Sequence, residues 1–254
     1  MTARSPARNG PAAAAGGSAV VLRAYLAETR EIGLSLLLVL PLLLAYEVAM
    51  LLLDAPVRNG AELAVSQFVS RLPPESLTVL RRGMILLLMA LALVLVHRQP
   101  PRVARARYVL IEAALLALAL GPAVGWLVGG VGLSAPSGAA GGPWLPFLLS
   151  VGAGIWEEIV FRLALLGGLT LALTRATGAP AAVAVGTAVV VSSLAFALYH
   201  HLGHAGEPLT ASRFLFRSVA GTILGLLFVF RGLAVVVYMH VFYDLLCDLR
   251  SLQG

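Results

Sequence analysis

The stretch from Leu145 to Leu173 reads LPFLLSVGAGIWEEIVFRLALLGGLTLAL, apolar throughout except for Glu157, Glu158 and Arg162. Its apolar length exceeds the roughly 20 residues a helix needs to cross the hydrocarbon of a bilayer. Six similar runs flank it. Five are Ile32 to Leu53, Gly83 to Val96, Tyr108 to Val131, Pro180 to His200 and Phe214 to Phe230, and the last is Gly232 to Leu249. Gly83 to Val96 is short and is expected to gain a turn from the residues before it. In lipid only helices and closed barrels satisfy their own backbone, and no ten-residue alternating barrel pattern is present. The fold class is therefore all-α, a polytopic transmembrane helical bundle of about seven spans, within a range of six to eight.

Composition agrees. Apolar types make up 59% of the 254 residues and charged types 12%, about half the charge of a water-soluble domain, with a mean hydropathy of +0.93. All 18 basic residues are arginine, against 12 acids, for a net charge of +6. In so apolar a chain this points to a lipid bilayer as partner. Aromatic residues are few and no basic stripe is interleaved with them, so no nucleic-acid partner is expected. The single cysteine, Cys247, excludes an internal disulfide, and no Cys/His zinc knuckle exists.

Three regions are expected: a flexible N-terminal tail over 1–30, N-terminal membrane helices over 31–142, and catalytic helices over 143–254. Ala61 to Leu72 has the mixed polarity of an interfacial segment, and Leu133 to Pro143 reads as an uncharged loop. With the tail inside, the cytoplasmic side holds Arg4, Arg8, Arg23, Arg30, Arg98, Arg102, Arg105, Arg107, Arg175 and Arg231, ten against seven on the other side.

The three charges inside the deciding stretch need an explanation. Each costs roughly 2.5 to 3.5 kcal/mol at the bilayer centre, and the Leu, Ile, Val and Phe residues of the helix return about 4 to 8 kcal/mol in total. Insertion is near break-even unless the charges pair, face water or stay partly neutral. Glu158 and Arg162 stand one turn apart and can pair. Glu157, rotated about 100° from Glu158, can point at a neighbouring helix. Two other runs carry polar groups at one-turn spacing, Phe196 with His200 and His240 with Asp244. The structural alternative is an ion pair with a spare glutamate and two interhelical hydrogen-bonding histidines. His201 and His204 read as polar loop residues, His97 as interfacial, and Glu47 and Glu112 as structural contacts between helices.

The ordered motifs Glu157-Glu158-x-x-x-Arg162, Phe196-x-x-x-His200 and His240-x-x-x-Asp244 resemble the CAAX-protease and bacteriocin-processing family of intramembrane proteases. The resemblance covers roughly Pro143 to Leu249. More loosely, the first span, with Pro41 to Glu47, resembles a bacterial branch that processes C-terminal sorting tails. The resemblance implies an endopeptidase acting on a membrane-associated protein or peptide. Glu157 and His200 would activate water, His240 and the residue at 244 would support the oxyanion, and Glu158 and Arg162 would orient them. The family often has asparagine where Asp244 stands. Asp244 could donate as the neutral acid, orient His240 or join a metal site, and orientation of His240 is preferred. No cofactor is expected. The alternative is a divalent metal such as zinc on Glu157, His200 and His240, although the His-Glu-x-x-His signature is absent. No Gly-x-Ser-x-Gly elbow and no aspartate pair on neighbouring spans support serine or aspartyl chemistry.

Two other functions use the same residues: a proton-coupled transporter or channel, and a non-catalytic immunity or scaffold protein. No internal repeat supports the first. The arginine-only, alanine-rich composition suits a GC-rich bacterial genome and hence the inner (cytoplasmic) membrane, and it disfavours a prenylated substrate. Glu157 should lie about 16 Å along its helix from Pro146, near the midplane. The Pro180 helix is expected to run past His201 toward Gly203. The enzymatic reading requires Glu157 within roughly 10 Å of an imidazole. With Cys247 replaced, a cysteine at Ala139 should react with an impermeant thiol reagent from the outside only; labelling from the cytoplasm alone would reverse the topology.

Overall fold

Every apolar run is helical in the computed structural model, which describes residues 20, 22–53, 74–98, 106–129, 144–202 and 206–251. The helices are α1 (22–29), α2 (Ile32–Leu52), α3 (Pro74–Arg98), α4 (Ala106–Val128), α5 (Leu145–Thr177), α6 (Ala181–Tyr199), α7 (Ala211–Arg231) and α8 (Leu233–Ser251). Among the described residues five of them, α2, α4, α5, α6 and α7, are long and apolar enough to cross a membrane. The protein is thus an integral, multi-pass membrane protein. The short run at Gly83 gains several turns by starting at Pro74. Helix α8 carries Asp244, Asp248 and Arg250 within its 19 residues, which dilutes its apolar character. The interfacial reading of Ala61 to Leu72 and the loop reading of Leu133 to Pro143 lie outside the described residues, as does most of the expected tail. Within that tail, residues 22–29 are helical.

Helix α8 is the axis of the bundle, packed by α2, α4, α5 and α7, while α6 lies against α7 and the middle of α5. Its first residues, Leu233 to Val237, are at most 1% exposed. Lipid provides no hydrophobic force between helices, so their association rests on close packing through small residues and on polar contacts. Two glycines show this. A Cβ on Gly154 would lie 2.6 to 2.9 Å from Val241 atoms, backbone included, and one on Gly221 would lie 3.2 Å from Ser193 and Phe196. The first lets α5 touch α8 one turn before Glu158. The second lets α7 touch α6 one turn before His200.

At the opposite end of the bundle, Glu112 of α4 is held by Arg231 of α7 through two hydrogen bonds, Nε to Oε1 at 2.6 Å and Nη2 to Oε2 at 2.7 Å. Tyr25 donates to the same carboxylate at 2.6 Å, and Arg231 also donates to Thr29 at 3.0 Å. This clamp accounts for Glu112 as a structural contact and ties α1 to the bundle. Glu47 is buried on α2 and engaged there.

Between Glu158 and Gly167, α5 runs as a π-helix. Its widened i→i+5 pattern changes which carbonyls are bonded within the helix. One of them, Phe161 O, accepts from Ser192 Oγ of α6 at 2.7 Å. The turn Gly178-Ala179-Pro180 joins α5 to α6. Glu157 lies about twenty residues before it and His200 about twenty after, roughly 25 to 30 Å along each arm, so acid and imidazole end level.

Gly154→Ala should wedge α5 from α8 and lower stability by about 1 to 3 kcal/mol, the usual cost of overpacking. A reduced thermal unfolding midpoint of the detergent-solubilised protein checks it.

Candidate active site

Six of the residues singled out in the sequence meet at one place: Glu157, Glu158 and Arg162 from α5, His200 just beyond α6, and His240 and Asp244 from α8. Glu158 lies at their centre. Its Oε1 sits 3.0 Å from Arg162 Nη1, and neither side chain is exposed. The same oxygen accepts from His240 Nδ1 at 2.6 Å. Arg162 stacks its guanidinium over the Phe196 ring at 4.3 Å and reaches Gly221 O of α7 at 3.4 Å. These contacts join α5, α6, α7 and α8 around one buried ion pair.

Hydrogen-bond partners fix how the two imidazoles present themselves. His200 Nδ1 is 2.8 Å from Phe196 O. A carbonyl only accepts, so Nδ1 carries a proton and Nε2 is the nitrogen that faces the site. That Nε2 is 3.7 Å from Glu157 Oε2. His240 donates from Nδ1 to Glu158, so its Nε2 also faces inward, 3.9 Å from Glu157 Oε2 and 3.5 Å from Asp244 Oδ2. Glu157 thus lies far inside the 10 Å limit from both rings. The Phe196 ring packs edge-on against both imidazoles, with centroids 4.6 and 6.2 Å away, and keeps them from rotating.

Some expectations need revision. Glu158, at 2.6 Å, makes the bond that orients His240; Asp244 stands farther off, on the other ring nitrogen. Helix α6 stops at Tyr199 instead of running toward Gly203, because the chain folds back and Glu207 N donates to His200 O at 2.8 Å. His201 belongs to this turn, with Nδ1 3.0 Å from Glu207 O. It stands apart from the six. His204 lies outside the described residues, and His97 is exposed near the end of α3.

A narrow cleft of about 20 Å³ opens beside His240 and Asp244, walled by Phe196, Phe216, Leu224 and Tyr243 and bordered by Arg217. Arg217 pairs with Glu207 across the turn. Arg217 is not among the residues singled out in the sequence. The available signal was its place two turns inside α7, too deep for a residue that merely marks the membrane surface. Among the described residues no group of three or more His, Cys, Asp or Glu side chains is arranged to hold a metal ion. Glu157, His200 and His240 are near one another without forming such a set.

Residues 139–246 match a family model described as Type II CAAX prenyl endopeptidase Rce1-like. The match falls on the motif-bearing helices and bears out the resemblance read there. No curated protein and no solved structure matches the chain.

Arg162→Leu should strand the Glu158 carboxylate and destabilise the fold by about 3 to 5 kcal/mol, as removal of one partner of a buried ion pair does. The double variant Glu158→Gln/Arg162→Leu should recover part of that loss, and thermal unfolding of both proteins in detergent measures it.

Proposed function

From the premise that residues 139–246 are an Rce1-like CAAX endopeptidase region, we propose that this chain is an intramembrane endopeptidase that hydrolyses a peptide bond in a membrane-associated protein, without a metal. The observation that carries this reading is the position of Glu157 Oε2, 3.7 Å from His200 Nε2 and 3.9 Å from His240 Nε2, on groups from three helices.

The chemistry follows from the donors and acceptors. Glu157 and the lone pair of His200 Nε2 are both acceptors, so a water between them donates one hydrogen bond to each and turns its own lone pair outward. As its oxygen bonds to the substrate carbonyl carbon, Glu157 takes one proton and the carbonyl π pair moves to oxygen. His240, protonated at Nε2 and backed by the Glu158 carboxylate at Nδ1, donates to that oxyanion. Collapse of the tetrahedral intermediate breaks the C–N bond, and the proton on Glu157 passes to the leaving amine. Water is consumed and one acid and one amine result.

Helix α6 ends level with Glu157 and the turn after it lies beside the site, which supports access from the membrane face opposite the Glu112–Arg231 clamp. By the arginine distribution that face is the outer one, and the composition favours a bacterial inner membrane. A C-terminal sorting tail is the substrate class favoured by the looser likeness of the first span.

Glu157→Gln keeps the shape and removes the base. It should lower cleavage by at least 10² to 10⁴-fold, the range attributed to general acid–base catalysis, with expression and unfolding temperature unchanged. The assay is a comparison of membrane proteomes from cells carrying either form. Proteins that keep an uncut tail only with Glu157→Gln support the reading, and identical proteomes sink it. EDTA should leave cleavage of such a protein within about twofold; loss that zinc restores would reinstate the metal set on Glu157, His200 and His240.

A further inference from the structure

Among the six motif residues acidic side chains outnumber the arginine three to one. Three carboxyl groups, Glu157, Glu158 and Asp244, surround His240, and one of the two nearby guanidinium groups, Arg162, is sealed behind them, fully buried against Glu158 and Phe196. A developing oxyanion would add further negative charge in a medium where like charges repel strongly. Asp244 sharpens the problem, since its Oδ2 lies only 3.5 Å from the His240 Nε2 that must face the oxyanion.

Arg217 is the only arginine that borders the cleft shared by His240 and Asp244, among the described residues. It extends from the first two turns of α7 and is anchored by Glu207, which follows the turn after α6. Among the described residues its Nε has no hydrogen-bond partner, so the ion pair with Glu207 does not exhaust the guanidinium. Arg217 and Asp244 both line this cleft, and among the described residues no ion pair joins them.

We infer that Arg217 is a further catalytic residue, whose guanidinium meets the tetrahedral oxyanion across the cleft from His240 and offsets the negative charge of Asp244. The inference rests on the endopeptidase reading. Preorganised positive charge of this kind acts on the transition state more than on bound substrate, so its removal lowers kcat with little change in KM. The competing role for Arg217 is mechanical, a tie that holds the turn carrying His200 and Glu207.

The test uses the full-length enzyme in bicelles and, as probe, the membrane protein that accumulates uncut in Glu157→Gln cells. Arg217→Gln should lower kcat by about 10² to 10³-fold, the cost of losing one oxyanion donor, with KM changed less than about threefold. Glu207→Gln breaks the same ion pair but leaves the cation, and should retain kcat within about twofold; equal losses in the two variants would make Arg217 a mechanical tie. In an Asp244→Asn background the kcat loss from Arg217→Gln should shrink to about tenfold or less. An undiminished loss there overturns the compensation of Asp244. Should Arg217→Gln not fold, Arg217→Lys replaces it: a kcat loss of about tenfold, with Glu207→Gln unaffected, supports the inference, and wild-type kcat in Arg217→Lys overturns it. A wild-type chain that cleaves nothing sinks the protease reading itself, whereas an active wild type matched by Arg217→Gln sinks only this inference.

Discussion

A carboxylate that no water reaches governs this molecule. Glu158 sits within the bundle and is tolerable there because an ion pair with Arg162 from its own helix and a hydrogen bond from the His240 imidazole of α8 converge on one oxygen. In hydrocarbon the penalty for an unmet charge exceeds what a few apolar contacts return. The helices bearing these groups must therefore come together. Gly154 permits the approach of α5 and α8, and Gly221 the approach of α7 and α6. Orientation of His240 thus comes with the assembly of the bundle.

The same geometry separates the two glutamates. Neighbours in sequence, they leave the helix in different directions, Glu158 into a closed set of donors and Glu157 toward the inward-facing nitrogens of two imidazoles. The π-helical register begins at Glu158, and Ser192 attends to the Phe161 carbonyl within it. Departures from α geometry of this sort are frequent at functional sites.

Much of this was legible in the sequence for a physical reason. Charges inside apolar runs are expensive, so Glu157, Glu158, Arg162, His240 and Asp244 announce themselves, and one-turn spacing places Glu158 with Arg162. The runs also located the helices to within a few residues, except that the helix over Gly83 to Val96 begins nine residues earlier, at Pro74. What spacing cannot convey is which acid meets which imidazole across helices: Asp244, one turn from His240, was the natural candidate to orient it, yet Glu158, 82 positions away, makes the shorter bond. The end of α6 is not legible because the backbone bond from Glu207 N to His200 O depends on a residue seven positions further on. Arg217 escaped notice because an arginine near the start of a span resembles any interfacial anchor. The partner of Glu112 lies on a helix formed far later in the chain.

That last separation has a consequence for biogenesis. Glu112 and Arg231 are 119 positions apart, and ribosomes add about 5 to 20 residues per second, so about 6 to 24 s pass between their synthesis. For that interval the acid enters the translocation machinery without its counter-charge, held near the membrane surface by the turn it occupies in α4. The clamp closes only when α7 has been delivered, which makes it a late fastening that locks α1 and α4 to α7.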